Sequence, residues 1–71
     1  MIIFYSNDCN KCKVLENKLL EQDIGYIKES SMKTILEKSE EYGITEMPFC
    51  EVKDEIKNFS EMMELLENNE L

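Results

Sequence analysis

Ile3-Phe4-Tyr5-Ser6-Asn7-Asp8-Cys9-Asn10-Lys11-Cys12 decides the fold. Met1 to Tyr5 is a continuous apolar run, the pattern of a strand buried on both faces. It stops at Ser6-Asn7-Asp8, residues that favour turns and helix N-caps. From Cys9 to about Gln22, the positions Cys12, Leu15 and Leu19, with Leu20 beside them, follow helical spacing. A C-x-x-C pair therefore sits where a strand feeds a helix.

Downstream, Gly25 closes this unit and Tyr26-Ile27 begins a short second strand. Strand, helix, strand in that order points to a parallel βαβ unit with a right-handed crossover. Ser30 and Ser31 can cap a second helix over Met32 to Tyr42, with Met32, Ile35 and Leu36 as its buried stripe. Gly43 stands where a helix C′ glycine belongs. Pro48 precedes Phe49-Cys50-Glu51-Val52, which reads as a third strand. Lys53-Asp54-Glu55 then turns the chain into a fourth strand around Ile56 to Phe59. Ser60 is expected to cap a last helix with Met62, Met63, Leu65 and Leu66 as its apolar face. Glu61 and Glu64 fall in its first turns, where the helix dipole favours acids. The expected architecture is one α/β domain over residues 1–71, ordered βαβ-α-ββα, with a four-stranded mixed sheet flanked by three helices.

A chain of 71 residues allows one domain with a small core. Its hydrophobic content of 42% suits a globular domain rather than a disordered tail. A net charge of −8 and a pI near 4.4 exclude sequence-independent binding to nucleic acid or an anionic membrane. No apolar run approaches the roughly 18 residues that span a bilayer. The run at Met1 to Tyr5 is too short for a signal-peptide core and has no basic flank. A reducing cytoplasm is therefore the expected compartment, and a monomer the expected state. The absence of histidine excludes His-based acid–base catalysis and His metal ligands.

In that compartment, three cysteines point to redox chemistry, metal binding or inert thiols more than to structural disulfides. A cysteine at a helix N-terminus faces unpaired backbone N–H groups and the positive end of the dipole, so its thiolate is favoured. Cys12, one turn along, lies within bridging reach and is shielded. Cys9 can attack a substrate disulfide, and Cys12 can resolve the mixed disulfide. Lys11 and Lys13 favour the thiolate, while Asp8 opposes it. A structural disulfide, a zinc site and chance spacing stay open beside redox chemistry. A disulfide over so short a loop gives only about 2 kcal/mol in the chain-entropy model. Zinc needs more ligands than Cys50 supplies.

These residues resemble the glutaredoxin branch of the thioredoxin superfamily, over essentially the whole chain. Ile3-Phe4-Tyr5-Ser6 followed by Cys9-x-x-Cys12 is similar to the family's first strand and active-site loop. Thr45-Glu46-Met47-Pro48-Phe49-Cys50-Glu51-Val52 is similar to its threonine–x–x–proline segment and third strand. The resemblance implies a thioredoxin fold and a cis Pro48. It also implies that the Met47 backbone pairs with an extended peptide or with glutathione. The chain departs from the pattern in three places. The lysine that usually precedes the first cysteine is missing. Lys57-Asn58-Phe59-Ser60 stands where a Gly-Gly pair and an acid are usual. Asn10-Lys11 replaces the common Pro-Tyr between the cysteines.

A thiol-disulfide oxidoreductase is the function expected, with Cys9 and Cys12 catalytic and Tyr5, Lys11, Met47, Pro48 and Ser60 binding substrate. Ser60 can hold a carboxylate through its hydroxyl and the helix N-terminus behind it. Tyr5 can line the groove or simply pack. No tightly bound cofactor is expected, and glutathione is the expected co-substrate. Protein disulfides are the expected partners, with glutathione or a thioredoxin reductase as electron source. A small redoxin that donates electrons to ribonucleotide reductase is the nearest alternative. A thiolate metal or iron–sulfur carrier and an acidic interaction protein are more distant ones. Cys50 and the Met62-Met63 pair read as core. The acidic surplus reads as the outer faces of the helices, with Lys11 and Lys13 flanking the cysteine pair and Lys53 and Lys57 on the hairpin near the last helix.

Overall fold

β1 (Ile2–Tyr5) runs through the middle of the sheet, between β2 (Ile27–Glu29) and β3 (Phe49–Val52), with β4 (Glu55–Asn58) beyond β3. In the computed structural model, which describes residues 1–70, β1 and β2 are parallel, whereas β1–β3 and β3–β4 are antiparallel. The helices are α1 (Asn10–Glu21), α2 (Met32–Tyr42) and α3 (Phe59–Glu67). The chain is thus α/β, with a four-stranded mixed sheet and three helices. Among the described residues, no helix is long and apolar enough to cross a membrane.

Side chains alternate across β1, and this alternation divides the core. Ile2 and Phe4 join Cys12, Leu15 and Leu19 of α1, Cys50 and Val52 of β3, and Met62 and Leu66 of α3. On the other face Tyr5 packs with Phe49 and with Ile35 of α2. The first cluster takes the periodic leucines, and each full burial of this kind contributes about 2 kcal/mol. The Gln22 side-chain amide ties the far ends of α1 and α3 by donating to the Leu66 carbonyl at 2.8 Å.

The second face is thinner than the apolar stripe of α2 implies. Ile35 is buried, but Met32 and Leu36 are 52% and 55% exposed. The stacked rings of Tyr5 and Phe49, 4.7 Å apart, fill this side of the sheet. A single row of α2 then suffices to cover them. Leu20 of α1 is likewise exposed, because α1 meets the sheet only through Cys12, Leu15 and Leu19.

Local chemistry accounts for the turns. Gly43 ends α2 with φ 67°, in the left-handed region that glycine adopts freely. The Ile44 N–H then bonds the Ser39 carbonyl at 2.9 Å, and the Ser39 hydroxyl donates to the Ile44 carbonyl. These bonds fix the start of the segment that ends in the cis Met47–Pro48 peptide bond. The β3–β4 hairpin turns through Lys53 and Asp54, with φ 50° and 66°. Two successive positive φ values match the twist of the flanking strands.

The last helix begins earlier than expected. Asn58, not Ser60, is the N-cap of α3: its Oδ1 accepts the Glu61 N–H at 2.8 Å, and Glu61 Oε1 accepts the Asn58 N–H at 3.0 Å. This reciprocal capping box satisfies two of the orphan donors at the helix start. Ser60 lies inside the first turn and is exposed.

Candidate functional site

The cysteine pair is built by the loop between β1 and α1. The Ser6 N–H continues the β1–β2 ladder to the Glu29 carbonyl at 3.0 Å. Ser6 Oγ accepts the Asp8 N–H, and Asn7 Oδ1 accepts the Cys9 N–H, each at 3.2 Å. Asp8 takes a left-handed φ of 61°, which Asp tolerates better than most residues. These contacts deliver Cys9 in an extended conformation as the N-cap of α1. Its Sγ accepts the Cys12 N–H at 3.2 Å, so a sulfur fills the role expected of Ser6, Asn7 or Asp8.

The two sulfurs are 2.8 Å apart, with the Cys9 thiol donating to Cys12. Cys12 is buried and Cys9 half-buried, so Cys9 is the more accessible sulfur. The Cys12 thiol has an acceptor of its own, Asn7 Oδ1 at 3.3 Å. The pair shares its protons and titrates as a unit. Burial pushes Cys9 up, and its hydrogen bond to Cys12 adds to this, against the backbone donors of Cys12 and Lys11. Burial also acts on Cys12, but the Cys9 thiol, the Ser6 hydroxyl and the Asn7 and Cys9 backbones overcome it and hold Cys12 down. Burial thus opposes, at Cys9, the thiolate that the start of α1 favours.

Cys50 lies in the core beneath Cys12, and burial, with a smaller contribution from the Cys12 charge, pushes its thiol up to about 12. It is a neutral packing residue at ordinary pH. All three cysteines are free thiols. Among the described residues, no group of three or more His, Cys, Asp or Glu side chains is arranged to hold a metal ion.

Of the other expected site residues, Met47 packs against the cluster that holds both Cys9 and Cys12, and Pro48 beside it is buried. Lys11 Nζ stands 5.5 Å from the Phe59 ring centroid, which brings the N-terminus of α3, with exposed Ser60, beside that of α1. Tyr5 requires a correction. The period-two alternation turns it to the α2 face, opposite Phe4, where it is 2% exposed. Its hydroxyl donates to Glu51 Oε1 at 3.4 Å, and burial, then the Glu51 charge, raise it to about 12. Tyr5 supports the sheet and does not line a groove at the cysteines.

Sequence reasoning missed Asn7 as a partner of both cysteines, and it missed Lys28. The Lys28 ammonium lies 3.4 Å from both Asp8 Oδ1 and Glu16 Oε1, and the Tyr26 hydroxyl donates to Glu16 Oε2 at 2.7 Å. β2 thereby brings a cation to the loop that carries Cys9. The period-two spacing of Tyr26, just before β2, and Lys28 on it is the sequence signal for this cluster.

No protein-family model, curated protein or solved structure matches the chain. The case for its chemistry rests on its own residues.

Proposed function

We propose that the protein is a glutaredoxin-like thiol-disulfide oxidoreductase, and that its sheet, with α1 and α3 on one face and α2 on the other, is a thioredoxin fold. The observation that carries this reading is the 2.8 Å contact between a half-buried Cys9 at the start of α1 and a buried Cys12. In the reaction, the Cys9 thiolate attacks one sulfur of a substrate disulfide. A Cys9–substrate disulfide forms, and the displaced thiolate leaves and takes a proton from water. Cys12 then attacks Cys9 Sγ, closing the Cys9–Cys12 disulfide and releasing the second substrate thiolate, which takes up the Cys12 proton. Two electrons pass from the dithiol to the substrate.

Met47 and Pro48 give an approaching extended chain a backbone to lie against beside the sulfurs. Lys11 adds positive charge near the pair, and the exposed N-terminus of α3 at Ser60 suits a substrate carboxylate. The proposed setting is a reducing cytoplasm, with the chain acting as a monomer on disulfide-containing proteins.

Glutathione is the proposed co-substrate. The alternative electron source, a thioredoxin reductase feeding a small redoxin for ribonucleotide reductase, draws support from Lys57 and Asn58. Lys57 pairs with Glu55 at 3.1 Å, and Asn58 is committed to the capping box, where glutaredoxins keep two glycines. An iron–sulfur or other metal carrier on these thiolates would need ligands from outside the chain.

Replacing Cys12 with Ser is expected to strand a mixed disulfide on Cys9, identifiable by mass spectrometry. Cys9→Ser is expected to abolish reduction of hydroxyethyl disulfide. Full activity in Cys9→Ser sinks the assignment. Supplying electrons through glutathione and its reductase, or through thioredoxin reductase, then chooses the reductant.

A further inference from the structure

The second face of the sheet is incompletely covered. α2 buries only Ile35, and β4, at the sheet edge, keeps Ile56 half-buried. A groove results. Two cavities of about 460 and 260 Å³ share Ile44 and Asn58, so they run together from Thr45 and Glu46 to Tyr42 and Ile56. Ile44 and Ile56 make an apolar floor, both packed on the cluster of Tyr5, Ile35 and Phe49. Tyr42, at the end of α2, is an exposed wall.

One end of this groove adjoins the cysteine pair. Glu46 immediately precedes Met47, which packs against the cluster that holds Cys9 and Cys12. Asn58 immediately precedes Phe59, whose ring lies under the Lys11 ammonium of α1. A chain bound along the groove therefore leads to the accessible sulfur.

The charge along the groove has one sign. Glu46, Glu55 and Glu61 line it, and no lysine does. Among the described residues, Glu46 has no ion-pair partner. Glu55 is paired with Lys57, and Glu61 commits one oxygen to the capping box. Lys38, over the Tyr42 ring, is shared between Glu41 and Glu51. The cations beside the dithiol lie elsewhere: Lys11 on α1, and Lys28 on β2 at the opposite edge of the sheet. An apolar floor with a carboxylate rim fits an extended segment with apolar and basic side chains. A second copy of this chain fits poorly, because each carries a net charge of −8.

We propose that this groove docks the polypeptide flanking the disulfide of a protein substrate, and that it selects segments in which Lys or Arg stands beside an apolar residue. This rests on the oxidoreductase reading above and names the class of its protein substrate. Single exposed ion pairs contribute little, so the selection comes from the three carboxylates together and weakens with salt.

The test uses two short disulfide-linked peptides that differ only beside the cysteine, one with Leu and Lys, the other with Leu and Glu. At low salt, kcat/KM is expected to favour the lysine peptide about tenfold, and the ratio is expected to shrink in about 0.5 M salt. Glu55→Lys and Glu46→Lys, both at exposed positions, are each expected to bring the ratio close to one. The ratio is taken within one variant, so a general loss of activity does not imitate this result. A native ratio near one, or a ratio that neither variant moves, overturns the proposal. Binding is followed separately by amide resonances, using the same peptides with Ser in place of Cys. The lysine peptide is expected to shift Ile44, Ile56 and Asn58, and the glutamate peptide to shift none of them. Shifts confined to other residues overturn the docking site. A protein that reduces neither peptide defeats the oxidoreductase reading, while this titration still decides whether the groove takes basic segments.

Discussion

Lys28 on β2 stands 3.4 Å from the carboxylate of Asp8, the residue immediately before Cys9, and places a cation beside the loop that presents the dithiol. The hydrogen bonds to Asp8 and then to Glu16 raise the Lys28 ammonium in turn, so it stays charged throughout the range in which thiols titrate. Lys28→Gln leaves Asp8 and Glu16 uncompensated near the sulfurs. Total thiolate absorbance is expected to move to higher pH by a fraction of a pH unit. The shift should shrink in about 0.5 M salt, because exposed charges are screened. An equal shift at both ionic strengths would remove the electrostatic cause.

Asn58→Ala is expected to cost about 1 kcal/mol by deleting the N-cap of α3. Ser60→Ala is expected to change stability by less than about 0.5 kcal/mol, since Ser60 lies exposed in the first turn. Urea unfolding of both variants checks the contrast. The reverse ranking would return the cap to Ser60.

α2 offers a second contrast. Ile35→Ala is expected to destabilise by about 2–4 kcal/mol, as for a fully buried aliphatic residue, and Leu36→Ala by well under about 1 kcal/mol. Hydrogen exchange at the α2 amides should speed up in Ile35→Ala, because this side chain is the one buried residue of the helix. Protection left unchanged by Ile35→Ala would show that α2 is held by something else.

Burial carries the Cys50 thiol from 9.0 to about 12 and the Tyr5 phenol from 10.0 to about 12. Both groups bind their protons more tightly folded than unfolded. Their contribution to stability is therefore complete below about pH 9 and is lost as pH rises toward about 12. The expected slope approaches about 1.4 kcal/mol per pH unit for each group that titrates only in the unfolded chain. Cys50→Ala should flatten the fall that begins near pH 9 and leave the Tyr5 part intact. Denaturant titrations at stepped alkaline pH measure it, and an unchanged slope in Cys50→Ala contradicts the burial argument.

The elements that local pattern governs were legible in the sequence. Cys12, Leu15 and Leu19 recur at helical spacing and are the buried face of α1, and Gly43 ends α2 where a C′ glycine belongs. The cysteine pair at the β1–α1 junction was legible for the same reason. What failed depended on neighbours distant in the chain. Met32 and Leu36 fit a helical stripe, but whether a stripe is covered depends on how much of the opposing sheet face is already filled by Tyr5 and Phe49. Tyr5 stands at the right end of β1, yet its side is set by alternation. An all-apolar strand does not say which of its faces meets which helix. Asn58 did carry a local signal: Glu61 three residues later completes a capping box, whereas Ser60 is followed at that distance by Met63. Lys28 reaches Asp8 only because β2 pairs parallel to β1 in a register that sets Lys28 opposite Phe4.

In the proposed reaction, the sulfur that caps α1 is also the atom offered to the substrate. When Cys9 Sγ gains a covalent partner it becomes a much weaker acceptor, and the Cys12 N–H that it held at 3.2 Å loses most of that bond. Each turnover of the proposed reaction would thus loosen and restore the opening turn of a helix whose other end is tied to α3 through Gln22. Oxidation state would then become a mechanical variable of the domain, written first into one backbone amide.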